Sequence, residues 1–204
     1  MGSSENRIRE GGIPAPRTED TAEPERWRYA RHLDALAAAA AAGAAAGAVA
    51  GAGRLEQAGA AYAAGDTAYA AADTAYAAEA AAVCAVLGDP DPVMAESAVV
   101  THLDRRAAHL PAGARFAAWA RAMAAVLDGR AFPARRLREW TLLKAITQGD
   151  PWSAAELTAA SDWCQRTAAH ALTSYEALSL LATAARTHRV RNTAARRLRR
   201  AAAA

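Results

Sequence analysis

Residues 152–157, Trp152-Ser153-Ala154-Ala155-Glu156-Leu157, carry the strongest local signal in the chain. Ser153 with Glu156 three residues later is a capping box, which satisfies the orphan N–H groups of a helix start. Trp152 and Leu157 occupy the two positions of a hydrophobic staple around it. A helix therefore begins here, and the pattern predicts that it runs on through Trp163 and Cys164 to Ala171. Beyond it, Thr173 and Glu176 form a second box after a very short turn, with Leu178, Leu181 and Ala185 facing inward. A last helix places Val190, Ala194 and Leu198 at i, i+4 and i+8. Upstream, Pro133 opens a helix with Leu137, Trp140, Leu143 and Ile146 on one face, and Gly149 lies beyond its end. Phe116, Trp119, Met123, Val126 and Leu127 mark the helix before that, closed by Gly129. Asp91 caps, and Pro92 opens, the preceding one, whose apolar face is Val93, Val100, Leu103, Ala107 and Leu110. Only residues 97–101 lean toward a strand.

Composition points the same way. Alanine fills 64 of 204 positions, so the 53% hydrophobic content is mostly a small, helix-favouring side chain. Such a chain builds a core only from closely packed helices, which excludes a β-sandwich, a collagen and a disulfide scaffold. Cys84 and Cys164 are too far apart to be a framework and read as small buried hydrophobes. The expected fold class is all-α, an Ala-rich helical bundle or a short α-solenoid-like stack of helical hairpins. No basic start followed by an apolar run suggests a signal peptide, and a reducing cytoplasm suits the two cysteines.

Gly88 and Asp89-Pro90-Asp91-Pro92 form a hard stop. They divide the chain into an expected disordered arm at 1–20, an Ala-rich helical segment at 21–88 and a helical domain at 89–204. The last has the better core, since four of the five tryptophans and both phenylalanines lie within 116–163. The first helix is expected to begin near Thr21 or Glu23 and to carry Tyr29, Leu33 and Leu36. Residues 35–53 contain no charge, and Gly43, Gly47 and Gly51 form GxxxGxxxG, a face that admits another backbone. The stretch reads as a soluble Ala-rich helix or, alternatively, a membrane span. Its glycines predict a disruption within 43–53. Residues 61–81 then repeat a heptad, AYAAGDT-AYAAADT-AYAAEAA. Leu55, Tyr62, Tyr69, Tyr76 and Val83 hold one position near one helical face. An amphipathic helix with tyrosines in its seam explains this, the alternative being a ladder of phenols with Asp66 and Asp73.

The net charge of +3 hides an asymmetry, about −7 over residues 1–100 and about +10 over 101–204. The densest run is the last, from Arg186 to Arg200 without an acid. Arg189, Arg191, Arg196, Arg199 and Arg200 are the candidate residues for binding a polyanion or an acidic partner. With Val190, Ala194 and Leu198 docked inward, Arg189, Arg196 and Arg200 fall on one strip and Arg191 and Arg199 on another. Chemistry is otherwise sparse. No two histidines stand at i, i+4, no Cys/His spacing suits a metal, and the glycine-rich stretch lacks the GK[ST] end of a phosphate loop. Trp119, Trp140, Trp152 and Trp163 sit at core spacing. The expectation is therefore no catalytic residue, no cofactor and no metal, hence no enzyme.

Residues 175–198, YEALSLLATAARTHRVRNTAARRL, resemble one HEAT-type repeat. The likeness lies in an ALxLLA first helix, a short turn, and VRxxAxxxL on the second, here Val190, Arg191, Ala194 and Leu198. Thr187 and His188 stand where the family has an aspartate. The resemblance implies a stack of helical hairpins that serves as a protein-binding scaffold. Three functional readings follow. The first is a non-catalytic interaction or scaffold module that binds a protein partner or a second copy. The second is a helical nucleic-acid-binding protein using the arginine-rich end. The third is membrane association through 35–53, and no small-molecule substrate suggests itself.

Overall fold

A computed structural model describes the backbone of residues 25–56 and 64–203, and the side chains of 26–45 and 76–203. Among these residues it is entirely helical: α1 (Glu25–Glu56), α2 (Ala64–Leu87), α3 (Pro92–His109), α4 (Ala114–Val126), α5 (Ala131–Gln148), α6 (Ala154–Ala159), α7 (Asp162–Ala171), α8 (Tyr175–Ala184) and α9 (His188–Ala202). The expected N-terminal arm and Tyr62 lie outside the described residues, as do the side chains of Leu55, Asp66, Tyr69 and Asp73.

Local chemistry accounts for most boundaries. Asp91 Oδ1 accepts from the backbone N–H groups of Val93 and Met94, at 3.1 and 3.0 Å, and opens α3 with Pro92 in its first turn. Ser153 accepts from Glu156 N at 3.3 Å and opens α6. Gly149 closes α5 at φ 76°, a left-handed position that a side chain would strain.

Three expectations are corrected. The disruption in 43–53 does not occur, because α1 passes unbroken through Gly43, Gly47 and Gly51 to Glu56. Each glycine costs about 1 kcal/mol, and the alanines around them are the best helix formers. The helix opened by Ser153 does not reach Ala171. It stops at Ala159, and Ser161 caps a new helix by accepting from Cys164 N at 3.2 Å. Gln165 makes the break stable, since its Nε2 donates to the carbonyls of Leu157 and Thr158 that α6 leaves open. Finally, α8 is capped by Ser174, one residue later than expected, through Ala177 N at 3.3 Å.

The helices bury two clusters joined through α5. In the first, α1 and α2 pair and pack on α3 and α4, burying Leu36, Val83, Val99, Leu103, Trp119 and Met123. In the second, the latter half of α5 contributes Leu142, Leu143 and Ile146, and α6–α9 add Leu157, Cys164, Leu181 and Val190. Trp140, midway along α5, packs against both. Gly88–Pro92, read from sequence as a subdomain boundary, is a turn whose two flanking helices share the first cluster. The clusters divide inside α5, between Leu137 and Leu142.

Candidate functional site

α9 begins where Thr187 Oγ1 accepts from Val190 N at 3.3 Å, so the threonine caps the helix where the HEAT pattern has an aspartate. The helix packs on α7 and α8. Val190, Thr193 and Ala194 are buried and Leu198 is half-buried, as the i, i+4, i+8 spacing requires. The outward face carries Arg189, Asn192, Arg196 and Arg199, which line a shallow open groove formed between the side chains of this one helix. At 3.6 residues per turn these four span about a quarter of the circumference.

This corrects the second of the two sequence-based strips. Arg189, Arg196 and Arg200 are all exposed and lie within about 40° of arc, as expected, while Arg199 joins the first two in the groove. Arg191 does not face outward with Arg199; its Nη1 donates to the carbonyl of Ala185, at the C-terminus of α8. An orphan helix-end carbonyl next to a half-buried guanidinium decides its direction, and spacing alone does not register this. Arg197 serves similarly, donating to Ala169 O at 3.1 Å near the end of α7. Arg186 pairs loosely with Asp162 at 3.7 Å, both largely exposed. Arg189, Arg199 and Arg200 make no ion pair with any described residue, and Arg196 reaches only Thr193 Oγ1, at 3.5 Å. The groove is therefore a run of cations whose charge the described part of the chain does not answer.

The other conspicuous polar cluster is buried in the first core. Glu79 on α2 has no exposed surface. Its Oε1 accepts from Trp119 Nε1 at 2.8 Å and lies 2.8 Å from His102 Nε2, and its Oε2 accepts from Arg106 Nε at 3.2 Å. Burial pushes the Glu79 carboxyl up, but the His102 and Trp119 hydrogen bonds and the Arg106 guanidinium outweigh it and hold the group below its ordinary value. A carboxylate beside an imidazole is half of a proton relay, yet no serine, cysteine or lysine is among the groups bound to this pair. The cluster ties α2, α3 and α4 together. Sequence reasoning passed over Glu79, although the signal was present in His102 and Arg106, an i, i+4 polar pair on an otherwise apolar helix face.

A second brace joins the two cores. Asp104 on α3 accepts from Trp140 Nε1 at 2.7 Å and from Arg136 Nη1. The Arg136 guanidinium stacks over Trp163 at 3.6 Å from the ring centre. Nearby, buried Glu139 accepts from Ser161 N at 2.9 Å. Cys164 is buried as expected, and burial, then the Glu139 charge, push its thiol up to about 12. Cys84 is exposed, contrary to expectation, because it lies about a sixth of a turn beyond Leu87, outside the stripe of Val83, Val86 and Leu87.

Among the described residues no group of three or more His, Cys, Asp or Glu is placed to hold a metal ion, and no helix is long and apolar enough to cross a membrane. No family model matches the chain, and no curated protein or solved structure matches it either. The class the structure defines is an all-α helical bundle with a basic terminal helix.

Proposed function

We propose that this chain is a non-catalytic helical interaction module that receives an acidic protein face on the outward side of α9. The observation that carries the reading is the groove of Arg189, Asn192, Arg196 and Arg199, cationic and unanswered by any described acid. The hairpin of α8 and α9, with Thr187 as the cap between them, supports reading residues 175–198 as one HEAT-like unit closing a short stack. The arginines that cap α7 and α8 hold that hairpin, leaving the groove arginines free for a partner. A second copy is one suitable partner, because residues 33–100 carry eight acids against a single arginine, Arg54.

Reversal of Arg189, Arg196 and Arg199 to glutamate tests the reading. Sedimentation at low salt is expected to show self-association that the triple variant loses while its melting curve holds. A specific nucleic acid reading rests on the same groove and has its own signature. Binding of duplex or RNA would fall with salt at a slope of roughly 0.9 per neutralised phosphate on duplex. Salt-steep nucleic-acid binding by a monomer that never self-associates would overturn the protein-partner reading.

A further inference from the structure

A second concavity lies away from α9's outward face, between α5 and α6 with the turns on either side of α6. It measures about 550 Å³, within the usual range for small-molecule sites. Its apolar part comes from Leu142 and Ala145 on α5 and from Pro151 and Trp152 before α6. Leu142 is buried, and Trp152 is half-buried and packed against the second core. The indole forms the aromatic wall of the cleft.

The charged groups around this floor are not equivalent. Glu139 is occupied by Ser161 N–H and lies 3.8 Å from Arg136 Nε. Glu156 stands in the first turn of α6, where a carboxylate is favoured by the helix end. Arg186 already leans on Asp162. Arg135 and Arg138, three residues apart on α5, are exposed and have no acid partner among the described residues; Arg135 lies 5.9 Å from the Phe132 ring centre. An aromatic wall, an aliphatic floor and two unanswered guanidinium groups at one side suit one kind of molecule.

We propose that this cleft binds a small organic acid with a flat apolar body. The body lies between Trp152 and Leu142, and the carboxylate is received by Arg135 and Arg138. Guanidinium groups match a carboxylate in shape and charge, and such charge-assisted bonds are about twice as strong as neutral ones. The apolar wall alone does not distinguish an acid from a neutral molecule of the same outline, so the arginines set the selectivity. This site is independent of the α9 groove, and its test leaves that reading untouched.

The probe is 1-naphthaleneacetate, compared with 1-naphthaleneacetamide, which has the same ring and no charge. Titration of the full chain by calorimetry is expected to show one site for the acid and at least tenfold weaker binding of the amide. In Arg135→Gln/Arg138→Gln the acid should fall to the affinity of the amide, and the amide should be unchanged. Both arginines are exposed, so the melting temperature serves as a control on folding. Should the double variant melt early, the acid-against-amide comparison on the unaltered chain still decides. Equal binding of acid and amide overturns the proposal, as does absence of binding at millimolar probe, or a double variant that retains the preference.

Discussion

Trp119 donates its indole N–H to Glu79 Oε1 over 2.8 Å, and neither side chain has any surface exposed to solvent. A carboxylate in that position is tolerable only because it is fully engaged by Trp119, His102 and Arg106. Removing the acid strands those donors, and removing one donor strands part of the acid. Breaking a buried charge cluster in this way costs about 3–5 kcal/mol. Glu79→Ala is therefore expected to unfold at much lower denaturant than the unaltered chain. Glu79→Gln, which keeps the shape and can still accept, should lose less. Equal midpoints for all three proteins in a urea titration would show that the cluster contributes nothing.

The same carboxyl gives a pH dependence of known sign. Its value in the folded protein is lowered from an ordinary 4.5. A depressed acid contributes stability that is fully present above the unfolded value and is lost as pH falls through the folded one. The stability gap between the unaltered chain and Glu79→Gln should hold from pH 7 to near pH 5 and narrow as pH drops below the ordinary value. Urea midpoints measured at a series of pH values check this. A gap that widens in acid would reverse the assigned direction.

Ser153 and Ser161 open adjacent helices by the same device, each accepting one backbone N–H, from Glu156 and Cys164. Each serine-to-alanine change should cost about 0.5–2 kcal/mol. Ser161→Ala should cost the more, because the helix it opens carries Cys164, Ala168 and Ala169 into the second core, whereas α6 buries only Leu157. Thermal melts of the two variants give the comparison, and an unaffected Ser161→Ala protein would remove α7's start from the list of capped helices.

The sequence made several caps and most of the apolar stripes legible because both are local, although Val93, set on the α3 stripe by its spacing, is exposed and the Ser161 cap went unread. Asp91, Ser153 and Gly149 act within one helical turn, and Leu178, Leu181, Val190 and Ala194 face inward as their spacing requires. What stayed hidden depends on residues far apart in the chain. The break after Ala159 has no strong breaker residue; Gln165 stabilises it from the next helix. The two cores meet at Trp140, which packs against both and bonds Asp104, 36 positions away, and α5 shows a continuous apolar face on both sides of it. On α9, the spacing located Arg189 and Arg196 on the outward face, but the direction of Arg191 turned on the carbonyl of Ala185, which only the packed α8 supplies.

Gln165 on α7 is the joint between the end of α6 and the turn before α9. It is fully buried, and while its Nε2 donates to Leu157 O at 3.1 Å and Thr158 O at 2.8 Å, its Oε1 accepts from Arg186 N at 2.9 Å. One side chain thus satisfies the end of α6 and the turn that leads into α9. Gln165→Leu keeps the volume and removes every one of these bonds. Leaving buried backbone groups without partners costs about 1–3 kcal/mol for each group stranded. The variant should therefore lose more stability than either serine-to-alanine change. It should also raise amide hydrogen exchange at Arg186 and around residues 157–161, with the Glu79 cluster in the other core unaffected. If exchange rose uniformly through both cores instead, the two clusters would be one cooperative unit and Gln165 only one of many contributors to it.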